Sequence, residues 1–467
     1  MRIIGLVLAI ALAPGVTHAG DGALDPTFGQ GGIVEIGWTA GLAQANAIGL
    51  DGAGRILIGG SAIGVYGDAD FALFRLLPDG TLDTTYAADG GGFRLIDFNL
   101  DGIGSNSNDA VNDLAMYLDG SLVALGEAHS GFAGIDSQYA LSRVDATGAL
   151  DTAFGDGGSV HFGSGSFANI DYGRLIAIDA QQRLVTLGAI AEYHDNTTSL
   201  EWWLGLGRLT AQGQFDSTFY GGGFYFTFFW GDPNVPPPRH SRYNFPLAFA
   251  LDSSGRILTA GSVEQPISLD AALYRAPVDG GYDDSFGQYS RVQLGLSEGE
   301  ASALRPLAAG GMLVAGAYAT GSGAYALFFA RRLDDGSPDT SFGTNGITAI
   351  PLPQGYPEPS LIAPTREGGW LVAGRVIEPN GGGLGVVLAR FDAQGHPQTD
   401  FGNGGALIVD IADGRHFSAG RTVLQPDGKL VVAGSLPNPG PDTTPHFAVI
   451  RILADHETVF ADGFDGS

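Results

Sequence analysis

Two stretches of the chain carry residue types and spacings that could hold a ligand. Between Gly223 and Phe245, the run Phe224-Tyr225-Phe226-Thr227-Phe228-Phe229-Trp230 leads into Asp232-Pro233-Asn234-Val235-Pro236-Pro237-Pro238-Arg239-His240-Ser241-Arg242-Tyr243. Aromatic faces beside arginine and histidine suit a sugar ring or a peptide side chain, because the rings supply apolar contact area while the polar groups fix orientation. Tyr225, Trp230, Arg239, His240 and Tyr243 are the candidate contacts, and the proline triplet would hold the segment extended. Trp202 and Trp203, one strand earlier, could join them. The competing reading is an ordinary strand with Phe224, Phe226 and Phe228 inside and Tyr225, Thr227 and Phe229 outside. The second stretch, Asp97-Phe98-Asn99-Leu100-Asp101-Gly102, opens like a calcium loop. Asp97, Asn99 and Asp101 would supply oxygen ligands at alternate positions and Gly102 the sharp turn. Against this, the twelfth position holds Asn108 rather than a bidentate acid, and Phe98 and Leu100 alternate as in a plain strand.

A third set of charged residues recurs too regularly to be a reaction centre. An arginine is followed eight residues later by an aspartate in Arg75 and Asp83, Arg143 and Asp151, Arg208 and Asp216, Arg275 and Asp283, and Arg331 and Asp339, while Gln398 replaces the acid after Arg390. Chemistry needs its acid and base once, so a pair in almost every repeat reads as a hairpin fastener. Other catalytic patterns are missing from the sequence. The nine histidines form no His-x-His or His-Glu-x-x-His, there is no Gly-x-Ser-x-Gly elbow, and glycine-rich strings such as Gly155-Asp156-Gly157-Gly158 lack the following helix of a phosphate loop. With no cysteine, disulfides and thiolate chemistry are excluded.

The elements that position these residues come from a repeat. The block Leu24-Asp25-Pro26-Thr27-Phe28-Gly29 returns at residues 82–86, 150–155, 215–219, 282–287 and 338–343, and in worn form at 398–402. An apolar strand that ends in glycine follows a turn in each unit, as in Asp427-Gly428-Lys429-Leu430-Val431-Val432-Ala433-Gly434. A second apolar strand ends in arginine, as in Phe71-Ala72-Leu73-Phe74-Arg75. Each block occurs seven times. Phe28 and Phe401 stand six periods apart, giving a repeat of about 62 residues. One unit holds four candidate strands, residues 45–50, 55–60, 71–77 and 93–98, joined by Asp-Gly-type turns. Four short antiparallel strands per repeat predict an all-β, seven-bladed β-propeller. The first unit lacks leading strands and the last lacks an outer one, so residues 33–37 are expected to complete the last blade and close the ring.

The motif set resembles the delta-60 repeat, a bacterial repeat of β-propellers without an agreed activity, and the likeness spans about residues 22–455. The resemblance implies a fold and a compartment and supplies no catalytic residues. Residues 1–19, with Arg2, the apolar run from Ile3 to Ala13 and Thr17-His18-Ala19, read as a signal peptide cleaved after Ala19. The expected layout is therefore 1–19 signal, 20–455 propeller and 456–467 a short tail, in an exported periplasmic or extracellular protein. The chain has 467 residues, of which 75 are glycine, and its 50 acids against 23 bases give a net charge of −27. Such a field disfavours nucleic acid, and no apolar run is long enough to span a membrane. The expected role is a monomeric, non-catalytic binding or scaffold module for a glycan, peptide or protein, with no cofactor apart from the calcium option. The alternative is an enzyme acting on carbohydrate through carboxylates in the central channel.

Overall fold

A computed structural model describes residues 22–38, 41–87, 91–100, 108–130, 136–164, 170–193, 200–227, 244–264, 269–321, 323–378, 382–411, 415–437 and 444–454. The expected signal and tail lie outside these residues. The described chain is all β. After β1 (Ile33–Ile36), the first unit contributes β2 (Ala43–Leu50), β3 (Ile56–Ile63), β4 (Ala69–Leu76) and β5 (Phe93–Ile96). The second has β6 (Ala110–Met116), β7 (Leu122–Ser130), β8 (Asp136–Val144) and β9 (Ser159–Phe162), and the third β10 (Ile170–Ile178), β11 (Leu184–Tyr193), β12 (Leu200–Leu209) and β13 (Phe224–Thr227). Next come β14 (Asn244–Leu251), β15 (Ile257–Glu264), β16 (Leu269–Ala276) and β17 (Arg291–Ser297), then β18 (Glu300–Pro306), β19 (Met312–Gly321), β20 (Ala324–Arg332) and β21 (Ile347–Pro351). The last strands are β22 (Tyr356–Pro364), β23 (Trp370–Ile377), β24 (Gly383–Phe391) and β25 (Ala406–Val409), followed by β26 (Ser418–Leu424), β27 (Lys429–Pro437) and β28 (Pro445–Leu453).

Within each unit the strands pair antiparallel in chain order. The second and third units share one eight-stranded sheet through a single parallel pairing of Ile170 with Ser137. The last unit supplies only three strands, and β1 is the fourth, with Ile33 opposite Ile450 and Ile36 opposite Phe447. Strands expected to end in glycine continue past it. In β3, Gly60 is followed by Ser61, Ala62 and Ile63, all in the ladder.

Apolar side chains on both faces of these sheets form clusters between successive units, because each sheet is too thin to bury a face alone. Leu57, Phe71 and Leu73 pack with Val111, Leu122 and Ala124, and the same arrangement recurs from unit to unit. Another cluster joins the chain ends, placing Ile58, Phe74 and Leu76 against Val431, Phe447 and Val449. The Phe74 and Phe447 ring centroids are 4.8 Å apart.

The repeated arginines fasten these sheets. Five of them pair with the aspartate eight residues on: 2.8 Å for Arg75 to Asp83 and for Arg208 to Asp216, 2.7 Å for Arg275 to Asp283, 2.5 Å for Arg331 to Asp339, and 3.4 Å for Arg143 to Asp151. The guanidinium also reaches the next unit, as from Arg75 to the carbonyl of Ala146 (2.7 Å) and from Arg143 to that of Ala211 (2.9 Å). In most units it lies over the block's aromatic ring, 4.6 Å from Tyr86 for Arg75. A further pair spans the chain ends. Arg451 meets Asp25 at 2.8 Å, donates to the carbonyl of Pro78 and stacks 4.4 Å over Phe28.

Candidate functional site

The first strand of every unit carries a β-bulge, and every bulge lies at the same place in the repeat. The ladder skips Asn46 in β2, Asn112 in β6, Arg174 in β10, Leu247 in β14, Ser302 in β18, Ser360 in β22 and the pair Gly420-Arg421 in β26. A bulge turns its extra residue out of the ladder and re-aims the side chain. All of these residues line one cavity of about 440 Å³, within the usual size of a small-molecule site. Opposite each bulge stands the glycine of the second strand. A Cβ on Gly60 would collide with the carbonyl of Gln44, and one on Gly126 with that of Ala110. The conserved shape of the repeat therefore serves the bulge, while the bulged side chain is free to vary from unit to unit.

Some bulged side chains have structural partners. Asn46 Nδ2 donates to the carbonyl of Val111, and Asn112 Nδ2 to that of Gly173, each 2.9 Å, so each asparagine satisfies a carbonyl beside the next bulge. Ser360 Oγ lies 2.9 Å from Thr422 Oγ1. Arg421 is held 3.7 Å from Asp113, whose carboxyl is pushed upward by burial. Arg375, beside the pocket on β23, pairs with Glu358 at 2.5 Å. Glu300 accepts a 2.9 Å hydrogen bond from Tyr356, and burial, with Glu358 nearby, raises its carboxyl above the usual range.

Three lining groups have no such partner. The Arg174 guanidinium makes no hydrogen bond or ion pair with a described residue, and its ring contact is a distant 5.9 Å to Phe245. Burial, then Arg421, pushes it below the usual arginine range. The Glu127 carboxyl accepts no hydrogen bond from a described residue, and burial pushes it upward despite the opposing pull of His129 and Arg174. Ser302 Oγ is buried with no partner. His129 lines the same cavity, its Nδ1 engaged by the carbonyl of Asn108. Behind Tyr172, another lining residue, Trp202 stacks at 5.7 Å and 17°, and Phe245 follows at 5.0 Å from Trp202.

Of the residues singled out from sequence, Trp202 stands behind Tyr172, and the other described ones do not line this cavity. Tyr225 is buried in the cluster between the third and fourth units, where its hydroxyl accepts the Gly281 N–H at 3.1 Å. The strand expected to bury Phe226 faces the other way: Phe226 is exposed, while Tyr225 and Thr227 point inward. Trp230, Arg239, His240 and Tyr243 lie outside the described residues. At the expected calcium loop, Asp97 Oδ1 accepts the Asn99 N–H at 2.8 Å, and Asp101 lies outside the described residues. Among the described residues, no group of three or more His, Asp or Glu could hold a metal ion.

The pocket residues escaped sequence reading because they belong to different units and obey no local motif. A signal existed in the repeat: Asn46 and Gly60, Asn112 and Gly126, Arg174 and Gly188, and the corresponding residues of the other units all stand 14 apart. At that fixed offset before the repeated glycine the residue type varies.

Residues 54–86 and 425–455 match the family described as "Domain of unknown function (DUF5122) beta-propeller". The fold is a β-propeller. The first matched segment spans β3, β4 and the Leu-Asp-Thr-Thr-Tyr block, and the second covers β27 and β28. No curated protein matches the chain. Among solved structures it is similar to a protein of unknown function from Dyadobacter fermentans, with 15% identity, 74% of this propeller and 94% of that chain covered, and a TM-score of 0.43. It is also similar to the polysaccharide lyase Uly1 (11% identity, 88% and 90% covered, TM-score 0.45). A third is the α-L-arabinofuranosidase of Fusarium graminearum in complex with arabinobiose (10% identity, 73% and 92% covered, TM-score 0.40). Among the described residues, no helix of the propeller is long and apolar enough to cross a membrane.

Proposed function

We propose that the protein is an exported, seven-bladed β-propeller that acts as a non-catalytic binding module, with its ligand seated where the inner strands meet. Ring closure by β1 is supported by its pairing with β28, by the Asp25–Arg451 contact and by the apolar cluster shared between the first and last units. The observation that carries the binding reading is the bulge series. Seven equivalent backbone distortions deliver side chains of differing chemistry to one polar cavity, and a bulge kept in every repeat is a built feature. Export rests on the sequence of residues 1–19, and a mature N-terminus at Gly20 after fractionation is the expected mass-spectrometric result.

One observation favours the enzymatic alternative. Glu127 lines the cavity and burial raises its carboxyl, as a general acid for glycoside chemistry requires, with Glu358 as a second lining carboxylate from another unit. A glycan and peptide array probed with the chain from residue 20 tests both readings. The binding module predicts hits that Tyr172→Ala abolishes and that remain chemically intact on prolonged incubation. Cleavage of a retained glycan, lost in Glu127→Gln, would favour the enzyme. Hits abolished by Trp230→Ala but untouched by Tyr172→Ala would move the site to the aromatic segment.

A further inference from the structure

Resting on the pocket reading above, the chemistry of the groups left unpaired identifies the ligand class. Arg174 presents a fork of N–H donors with no acceptor among the described residues, in a cavity whose other cations, Arg375 and Arg421, already face Glu358 and Asp113. A half-buried guanidinium without an acceptor is costly, and a carboxylate matches its geometry with two parallel hydrogen bonds. Glu127 has the opposite need. It requires a donor, and a second anion placed there would be repelled. Ser302 Oγ, buried without a partner on β18, can serve either sense. One face of Tyr172 stacks on Trp202, with Phe245 tilted against Trp202 behind it, which makes this wall aromatic. Flat apolar faces beside convergent polar groups fit a saccharide ring better than a compact inorganic anion.

We infer that the pocket takes a sugar acid, one saccharide ring bearing a carboxylate, with the carboxylate on Arg174 and a ring hydroxyl donated to Glu127. The net charge of −27 makes this selective. An anion is disfavoured over the surface at large, so its entry here depends on Arg174, the lining arginine that holds no acid among the described residues.

Isothermal titration of the chain from residue 20 with D-glucuronate, D-galacturonate, D-glucose, D-galactose, L-glutamate and inorganic phosphate tests the inference. A uronate should bind at least tenfold more tightly than its neutral parent, and Arg174→Met should remove that preference while leaving the melting temperature unchanged or higher. Arg174→Gln serves if the methionine variant does not fold. Equal affinity for uronate and parent sugar, or an unchanged preference in both variants, overturns the inference. Tighter binding of glutamate or phosphate overturns the saccharide assignment. If no uronate binds while array hits still depend on Tyr172, only the ligand class fails. Array hits indifferent to Tyr172→Ala would remove the pocket reading itself.

Discussion

Asp70 is 4% exposed, and its Oδ1 has no hydrogen-bond partner. Burial, then the charges of Asp97 and Asp68, raises its pKa from 3.8 to about 7. Because the folded value lies above the unfolded one, the stability linked to this group is whole below about pH 4 and is lost as pH rises toward 7. Asp70→Asn cannot ionise, so its melting temperature should exceed that of the parent by a few degrees at pH 8, with the difference closing near pH 4.5. Thermal unfolding at the two values checks this, and an equal loss at both would contradict it. Neighbouring Asp109 is also raised, to about 8, but its oxygens accept the N–H groups of Phe98 and His129, so its replacement carries a second cost. The sequence pointed to this region through Asp97 and Asn99 as a metal loop; among the described residues, Asp97 and Asp68 act on Asp70 as like charges. Alternation of Asp and Asn does not reveal which way each oxygen points: the strand ends at Ile96 and Asn99 takes a positive φ of 42°, so no pleat orders them. Arg174 was silent for the same reason: a lone arginine in an inner strand is ordinary until three-dimensional neighbours fail to pair with it.

Strands are the scale at which sequence spoke most clearly and erred by a few residues. Period-two patterns and Asp-Gly turns located β2 to β5, but β3 starts at Ile56 and runs to Ile63, past the glycine expected to end it. That glycine marks the point facing a bulge, where the neighbouring backbone leaves no room for a Cβ. Gly126→Ala should therefore cost about 2–4 kcal/mol, measured by urea denaturation, because the methyl would press on the Ala110 carbonyl. Gly52→Ala is the control. A Cβ there meets nothing within 4 Å, and the variant should unfold within about 0.5 kcal/mol of the parent. Equal losses at both positions would show that the bulge does not impose the glycine. The inversion of Tyr225 and Phe226 has a related cause: a four-residue outer strand has too few positions for its pattern to fix the inward face, so the neighbouring sheet's Tyr274 and Gly281 decide it.

At the scale of the whole molecule, the missing strand of the last unit lies some 410 residues away in sequence, as Ile36 opposite Phe447. If what matters is the strand and not its position in the chain, a permuted protein should fold like the parent when residues 22–38 are moved from the front to follow residue 454 through a short flexible linker. Plain deletion of 22–38 should lower the melting temperature by more than 10 °C, since it strips the edge of β28 and removes Asp25 from Arg451. A permuted chain as unstable as the deleted one would mean that the pairing contributes little. Seven units were countable from repeated blocks, and the phase of those blocks already implied that the ends belong together, because a period shared by all copies leaves only one incomplete unit. The pocket was invisible at this scale, since the blocks that announce the repeat do not include the bulged positions that line it. The pairing of first strand with last also sets an order in time. A ribosome adding about 5–20 residues per second takes some 20–80 s to pass from Ile36 to Phe447. Throughout that interval β1 lacks the strand it pairs with, so whatever escorts the nascent chain must shield β1 until β28 has emerged.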